Sequence, residues 1–339
     1  MRHTFTVRLL LFFCCCYYLP VQAQFKPSNV QQVQLLDSGK AVSYRGISVV
    51  NEQVIWISGS KGTIIKSTDG GSTLRQMKVA GYEQRDFRDI HAFDSVTAVI
   101  MAVAEPAVIL KTTDGGSSWQ PVLSDSTPGM FLDAMDFNGT RGIVVGDPIK
   151  QRFYMATTND GGSSWQPLDT LFRPKALSGE ACFASSGTNI VYVNDKRFFL
   201  VTGGLSSRLI TSADYAKPLP LQQGKESTGA NSVAVFKQQM AIVGGDFANR
   251  SRTDSTHTLA GNWQVGNQLP YMSCVQWVNE NTLVACGLNG VYSSSNGGVH
   301  WEQISTTGFH TLAVTTAKKY ATIYLAGGNG KVGKLYLKL

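Results

Sequence analysis

Short apolar runs that close on small residues recur along the chain: Ile55-Trp-Ile-Ser-Gly59, Ile100-Met-Ala-Val-Ala104, Ile143-Val-Val-Gly146, Leu200-Val-Thr-Gly-Gly204, Ile242-Val-Gly-Gly245, Leu283-Val-Ala-Cys-Gly287 and Ile323-Tyr-Leu-Ala-Gly327. Runs of this length, bounded by turn formers, predict strands. Polar phrases follow several of them at a fixed distance. Ser67-Thr-Asp-Gly-Gly-Ser-Thr-Leu74, Thr112-Thr-Asp-Gly-Gly-Ser-Ser-Trp119, Thr158-Asn-Asp-Gly-Gly-Ser-Ser-Trp165 and Ser294-Ser-Asn-Gly-Gly-Val-His-Trp301 are near-copies. Asp69, Asp114 and Asp160 lie 45 and 46 residues apart, the span of one four-stranded propeller blade. Ser212-Ala-Asp214 is a worn copy, eight residues after Gly204 as Ser67 is after Gly59, and the fifth unit keeps only Trp263. Seven runs predict an all-β, seven-bladed propeller of four-stranded antiparallel blades.

Each phrase has a mechanical reading as the hairpin between a blade's third and fourth strands. The opening Ser or Thr starts a turn, and Asp69, Asp114, Asp160 or Asn296 accepts hydrogen bonds from its backbone. Paired glycines allow angles that a Cβ forbids, and Trp119, Trp165 and Trp301 anchor the next strand. These phrases resemble the Asp-box (BNR) repeat of sialidases, sortilin-type receptors and the photosystem II stability/assembly factor family. The resemblance covers most of the chain and is nearest to the assembly-factor-like propellers. It implies that the boxes are structural turns away from the binding face, so their acidic residues are not expected to be catalytic.

The seventh unit is one strand short: Leu312 to Thr315, Ala321 to Ala326 and Val332 to Leu337 precede the last residue, Leu339. Val30-Gln-Gln-Val-Gln-Leu-Leu36 is a spare strand ahead of the first full blade near Tyr44, and pairing it with the last blade closes the ring and hides both edges. Residues 216 to 230 and 247 to 262 are expected to be long loops. One domain is expected over residues 24–339.

Residues 1 to 23 read as a cleaved signal peptide, with Arg2 and Arg8 as a basic start, Leu9 to Leu19 as an apolar stretch and Val21-Gln22-Ala23 as its end. That apolar stretch is short for a membrane-spanning helix. The expectation is an exported monomer, periplasmic or secreted, without stable membrane insertion. Losing Arg2 and Arg8 lowers the formal net charge of +7, and no Lys/Arg run exceeds two residues, which argues against nucleic acid as a partner. Cys182, Cys274 and Cys286 remain, an odd count without metal-site spacing. Cys274 and Cys286 are equidistant from Glu280, the tip of a predicted hairpin. They can therefore face each other, bonded or as buried free thiols.

Gly328-Asn-Gly-Lys-Val-Gly333 imitates a nucleotide-binding loop, but Leu335-Tyr-Leu-Lys-Leu339 reads as strand where a helix is required. No metal or cofactor motif is found, and neither is expected. Candidate chemistry gathers instead at the start of each innermost strand: Arg45, Arg88, Asp133, Glu180, Asn231, Ser273 and His310, each polar amid apolar neighbours. Blade position alone is expected to bring them around one mouth of the channel. The turns after the second strands add Lys61, Glu105, Asp147, Asp246, Asn289 and Asn329 to that face.

Two readings of the ring stand side by side. In one, Arg88 pairs with Asp133 and the ring is a structural latch. In the other, the ring binds a protein client or a small polar ligand bearing both signs. The resemblance implies a non-enzymatic assembly or scaffolding role. A sialidase-type hydrolase using Asp133 and Glu180 as its carboxylate pair is the alternative from the same repeat, although Tyr44-Arg45-Gly-Ile lacks the proline of the sialidase arginine motif. A propeller oxidoreductase is a third, implied only by the label that some look-alikes carry. On the binding reading, Arg88 is expected to keep Asp133 ionised.

Overall fold

The computed structural model describes residues 32–339 apart from 196, 214, 254–257, 262–263, 267–268 and 318. The predicted signal peptide, Asp214 and Trp263 therefore lie outside the described residues. Seven antiparallel sheets stand around one axis. Blade 1 runs Tyr44–Val49, Ile55–Gly59, Thr63–Ser67 and Arg75–Lys78 from the axis outwards. Blades 2 to 7 open on Phe87–Ala92, Leu132–Asn138, Ile190–Asn194, Thr228–Phe236, Cys274–Trp277 and Thr311–Thr316. Gln34–Asp37 pairs with Val332–Lys338 as the outer strand of blade 7, so the strand ahead of blade 1 closes the ring on the last blade as expected. The segments expected to be long loops contribute strands too, Ala216–Pro218 at the edge of blade 4 and Thr258–Gly261 in blade 5.

The apolar runs are continuous because each blade packs on both faces, and alternate side chains of a strand enter opposite seams. Buried residues fall into seven clusters, one at each seam. Trp56 faces blade 2 with Ile100 and Leu110, while its neighbours Ile55 and Ile57 face blade 7 with Tyr324 and Ala326. Hydrogen bonds between neighbouring innermost strands reinforce the seams. Ser48 Oγ accepts from the Ala92 amide, Asp89 from Met135, Asp136 from Tyr192 and Ser232 Oγ from Val275.

The repeated phrases fold as read. Asp114 Oδ1 accepts from the Thr112 hydroxyl at 2.8 Å and the Ser118 amide at 2.9 Å, and Oδ2 accepts from the Ser118 hydroxyl. Asp69 and Asp160 repeat the arrangement, and Asn296 Oδ1 accepts from Ser294 and His300. Gly115 and Gly116 sit at φ +75 and +85, the left-handed region that glycine tolerates. Hydrogen bonding, led by the Ser118 hydroxyl for Asp114 and the Ser164 hydroxyl for Asp160, pulls both carboxyls down to about 2. A link absent from the phrase itself ties it to the preceding blade. Lys111 Nζ donates to Gly161 O and Lys334 Nζ to Gly70 O, each reaching from a third strand to the next blade's turn.

Trp165 and Trp301 are buried in seams, whereas Trp119 is half-buried against Trp56 at 87° between ring planes. Trp165→Ala and Trp301→Ala are each expected to cost about 3 kcal/mol in urea unfolding, and Trp119→Ala less. Burial, stronger than the Tyr192 and Phe137 amides that oppose it, pushes the Asp136 carboxyl up to about 6. The fold thus favours its protonated form. That contribution is complete below the unfolded value near 4 and is lost as pH rises through about 6. Asp136→Asn keeps an acceptor for Tyr192. It is expected to gain about 1–3 kcal/mol over the wild type between about pH 4 and pH 8, read by urea unfolding across that range.

Candidate functional site

β-Bulges explain why polar residues interrupt the apolar innermost strands. Pairing skips a residue between Tyr44 and Gly46, Phe87 and Asp89, Leu132 and Ala134, and Ala230 and Ser232. The skipped residues are Arg45, Arg88, Asp133 and Asn231. A bulge leaves one residue out of the ladder and re-aims its side chain, here towards the axis. Arg45, Arg88, Asn231 and His310 line one cavity of about 440 Å³, together with Asp147, which sits at a bulge within the second strand of blade 3, Arg141–Ile149, not in the turn expected after it. Ser273 lies buried and donates to His310 O at 2.6 Å.

Blade 4 departs from the pattern. Its innermost strand is Ile190–Asn194, so Glu180 is not the ring position that its frame suggests. Glu180–Ala181 pairs instead with Gly203–Gly204, and this short piece joins the sheet of blade 5, making it six-stranded. Residues 182 to 188 then cross the channel. Asp147 Oδ1 accepts from the Cys182 amide, Arg88 reaches Ala184 O, and Arg45 reaches Ser185 O. Ser185 Oγ donates to Asn231 Oδ1 at 2.9 Å, and Ser186 Oγ donates to Ser273 O. Thr311 Oγ1 donates to Ser186 O, and Thr188 Oγ1 donates to Ser232 Oγ. Gly187, at φ +70, stands where a Cβ would strike the Asp89 carboxylate. The channel is therefore plugged, and Ala181, Cys182, Phe183, Ala184 and Ser185 form part of the cavity's lining.

Several expected partners change. Glu180 forms a bidentate pair with Arg208, at 2.8 Å to Nε and 2.6 Å to Nη2, and also accepts from the Thr202 hydroxyl. Its side chain is fully buried and its oxygens are occupied, so it does not face Asp133 across a substrate site. The carboxylate pair of the hydrolase alternative is thereby lost. Arg88 pairs with Asp86 at 2.8 Å, not with Asp133. Asp133 is fully buried without a well-formed hydrogen bond to either carboxyl oxygen. Burial, then the nearby Asp147 carboxylate, pushes its carboxyl well above the usual range, and the Arg88 charge and Ala184 amide only partly oppose this. The expectation of a firmly ionised Asp133 does not hold.

Most of the turn residues do structural work. Glu105 Oε1 accepts from the Gly129 amide. Asp246 caps the Ala248 and Asn249 amides, and Asn289 Nδ2 donates to Arg250 O and Ser251 Oγ. The Lys61 and Asn329 carbonyls accept from the Lys78 ammonium and from the Gly39 and Lys40 amides.

Aromatic side chains complete the cavity: Phe131, Phe183, Phe247 and Tyr271 line it beside Leu288. Phe183 meets Phe247 edge-on at 5.6 Å, and the Tyr271 hydroxyl donates to Asn231 Oδ1. Ring alignment missed them, although Phe131 and Tyr271 each stand two residues before the ring position of their blade, Asp133 and Ser273. Burial, with help from the Arg45, Lys331 and Arg88 charges, holds the His310 imidazole down to about 3 and so neutral near pH 7. Burial and the Arg88 charge likewise lower Arg45. Among the described residues no carboxylate lies within ion-pair distance of Arg45.

Removing Arg208 strands a buried carboxylate, a change that typically costs 3–5 kcal/mol. Arg208→Met is expected to fall in that range in urea unfolding. Glu180→Gln, which keeps an acceptor for Thr202, is expected to cost clearly less.

A family model described as Photosynthesis system II assembly factor YCF48 matches residues 24–133, which reach into the third blade. The chloroplastic photosystem II stability/assembly factor HCF136 of Arabidopsis thaliana is 29% identical over 87 residues, 24% of this chain and 21% of that protein. Among solved structures, one described as YCF48 bound to D1 peptide superposes with a TM-score of 0.58 at 14% identity, covering 91% of this chain and 97% of the other. YCF48 from Cyanidioschyzon merolae gives 0.56 at 15% identity, over 90% of this chain and 98% of that one. A GH74 xyloglucanase from Xanthomonas campestris also gives 0.56 at 12% identity, over 90% of this chain but 53% of the enzyme. Likeness at these identities speaks for fold alone. The chain is a seven-bladed β-propeller that resembles the photosystem II stability/assembly factors.

Proposed function

We propose that this protein is an exported, non-enzymatic binding propeller that holds a protein client at the plugged mouth of its channel, in the manner of an assembly factor. One observation carries the reading: Arg45 is a largely buried guanidinium whose hydrogen bond is a long one, 3.4 Å to Ser185 O, and which no carboxylate approaches to ion-pair distance among the described residues, the nearby Asp86 being paired with Arg88. A buried charge without a partner is costly, and an incoming anionic group relieves that cost. Arg88 adds a second cation beside it, already balanced by Asp86.

The aromatic wall sets the rest of the specificity. Phe131, Phe247, Tyr271 and Leu288 fit an apolar side chain next to the anionic group, and about 440 Å³ admits a side chain or a short stretch of chain, not a folded surface. Use of this fold by the protein described as YCF48 bound to D1 peptide supports a peptide segment as the occupant. A leader-type start at residues 1 to 23 supports an encounter outside the cytoplasm.

Arg45→Gln is expected to weaken client capture at least about tenfold without lowering the melting temperature, because it removes a charge that has no ion pair while Gln keeps an N–H donor for Ser185 O. Quantitative pull-down from the native envelope, wild type against variant at equal folded concentration, checks this. An unchanged set and yield of captured proteins would refute the mouth as the binding site.

A further inference from the structure

Away from the cavity, Cys274 and Cys286 occupy directly opposed positions on the first two strands of blade 6. Both are fully buried. The Cys286 thiol hydrogen-bonds to the Cys274 sulfur, and the hydroxyl oxygens of Thr188 and Thr311, whose protons go to Ser232 Oγ and Ser186 O, stand 3.7 Å and 3.9 Å from it. In its thiol form Cys274 donates to Leu312 O at 3.7 Å. One sulfur thus touches its cross-strand partner, the channel plug and the next blade. An ordinary buried cysteine acts as a small hydrophobe and needs none of this.

We propose that Cys274 and Cys286 are a peroxide-oxidised thiol pair that closes to a disulfide within blade 6. Cys274 is the attacking sulfur. Burial alone pushes a thiol up, but hydrogen bonds donated to the sulfur, first by the Cys286 thiol and then by the Leu312 backbone and the Thr188 and Thr311 hydroxyls when they turn to the thiolate, outweigh it and bring Cys274 down to about 7, so a fraction is thiolate at neutral pH. Cys286, without such support, is raised well above the ordinary thiol value and stays protonated as the resolving thiol. The thiolate attacks one oxygen of hydrogen peroxide. The O–O bond breaks, hydroxide leaves, and Cys274 becomes a sulfenic acid. The Cys286 sulfur then attacks the Cys274 sulfur. The S–S bond forms as the S–O bond breaks, and the departing hydroxide takes the Cys286 proton as water. Two thiols and one peroxide become one disulfide and two waters, the two electrons passing to the peroxide.

Complete burial selects the oxidant. A molecule of the size of water can reach the pair through small fluctuations, whereas a bulky disulfide reagent cannot approach either sulfur in the folded chain. Cys182 is an internal control. Burial and the charges of Asp133, Asp147 and Glu180 hold it well above the usual thiol range, and neither of the other two cysteines is its strand partner. Oxidation removes the Cys274 proton that Leu312 O accepts, so the seam between blades 6 and 7 loses a hydrogen bond beside the plug.

Glu280 lies between the two cysteines, which gives a direct assay. The folded full-length protein is treated with hydrogen peroxide, alkylated in denaturant and cut with a glutamate-specific protease. The expected result is that the fragments bearing Cys274 and Cys286 stay joined until reduced, while Cys182 is alkylated as in the untreated sample. Cys286→Ser should abolish the link and leave a Cys274 sulfenic acid that dimedone traps when it is added with the denaturant. Separate fragments with both thiols alkylated, or Cys182 consumed first, would overturn the proposal. So would linkage that forms just as fast in urea, because the folded surroundings of Cys274 would then contribute nothing.

Discussion

The polar backbone of residues 182 to 188 must find hydrogen bonds inside a channel where water is scarce, and much of the mouth follows from that demand. Buried amides and carbonyls left unpaired are costly, so each blade that faces the axis has to offer them something. Asp147, Arg88, Arg45, Asn231, Ser273 and Thr311 reach this segment from six blades. Ser273 offers its carbonyl, and the other side chains point inward because most of them belong to bulges or to strand starts outside the regular ladder. The ring is thus neither purely a latch nor purely a site. It satisfies the plug on one side and leaves Arg45 and an aromatic wall facing the cavity on the other.

What could be read directly from the sequence was whatever is local. Each turn phrase closes its hydrogen bonds within five residues, as Ser67, Asp69, Gly71 and Thr73 do, so its meaning is written in one short string. Blade count and ring closure follow from repeating that string. The frames around Arg45, Arg88, Asn231 and His310 were legible because an aromatic or small residue before and an apolar residue after mark the bulge or strand start. Glu180 misled because Gly179-Glu-Ala-Cys182 imitates that frame, while the true innermost strand begins at Ile190. Its partner Arg208 lies 28 residues away across a strand pair, and no local pattern announces it. The plug is hidden for the same reason. Ala184-Ser-Ser-Gly187 looks like a loop, and only the contact of Gly187 with Asp89 shows why the residues must be small.

The same residue type does opposite things at the two ends of the ring, and topology is the cause. At the end carrying the repeated turns, aspartates face solvent, and their own turns supply three donors to Asp69 and Asp114 and four to Asp160. Their carboxyls are therefore driven down and stay ionised, with their oxygens already engaged by the turn. At the mouth, Asp133 and Asp147 come from separate strands, and what surrounds them is set by the folding of distant segments. Burial then outweighs the few donors present, and both carboxyls are pushed up. Third-to-fourth strand turns are short and can satisfy themselves. The connection between blades 3 and 4 is long, runs through the channel and must be satisfied by neighbours. Unmet charge consequently accumulates at the end where the blades are joined, and there a partner has most to offer.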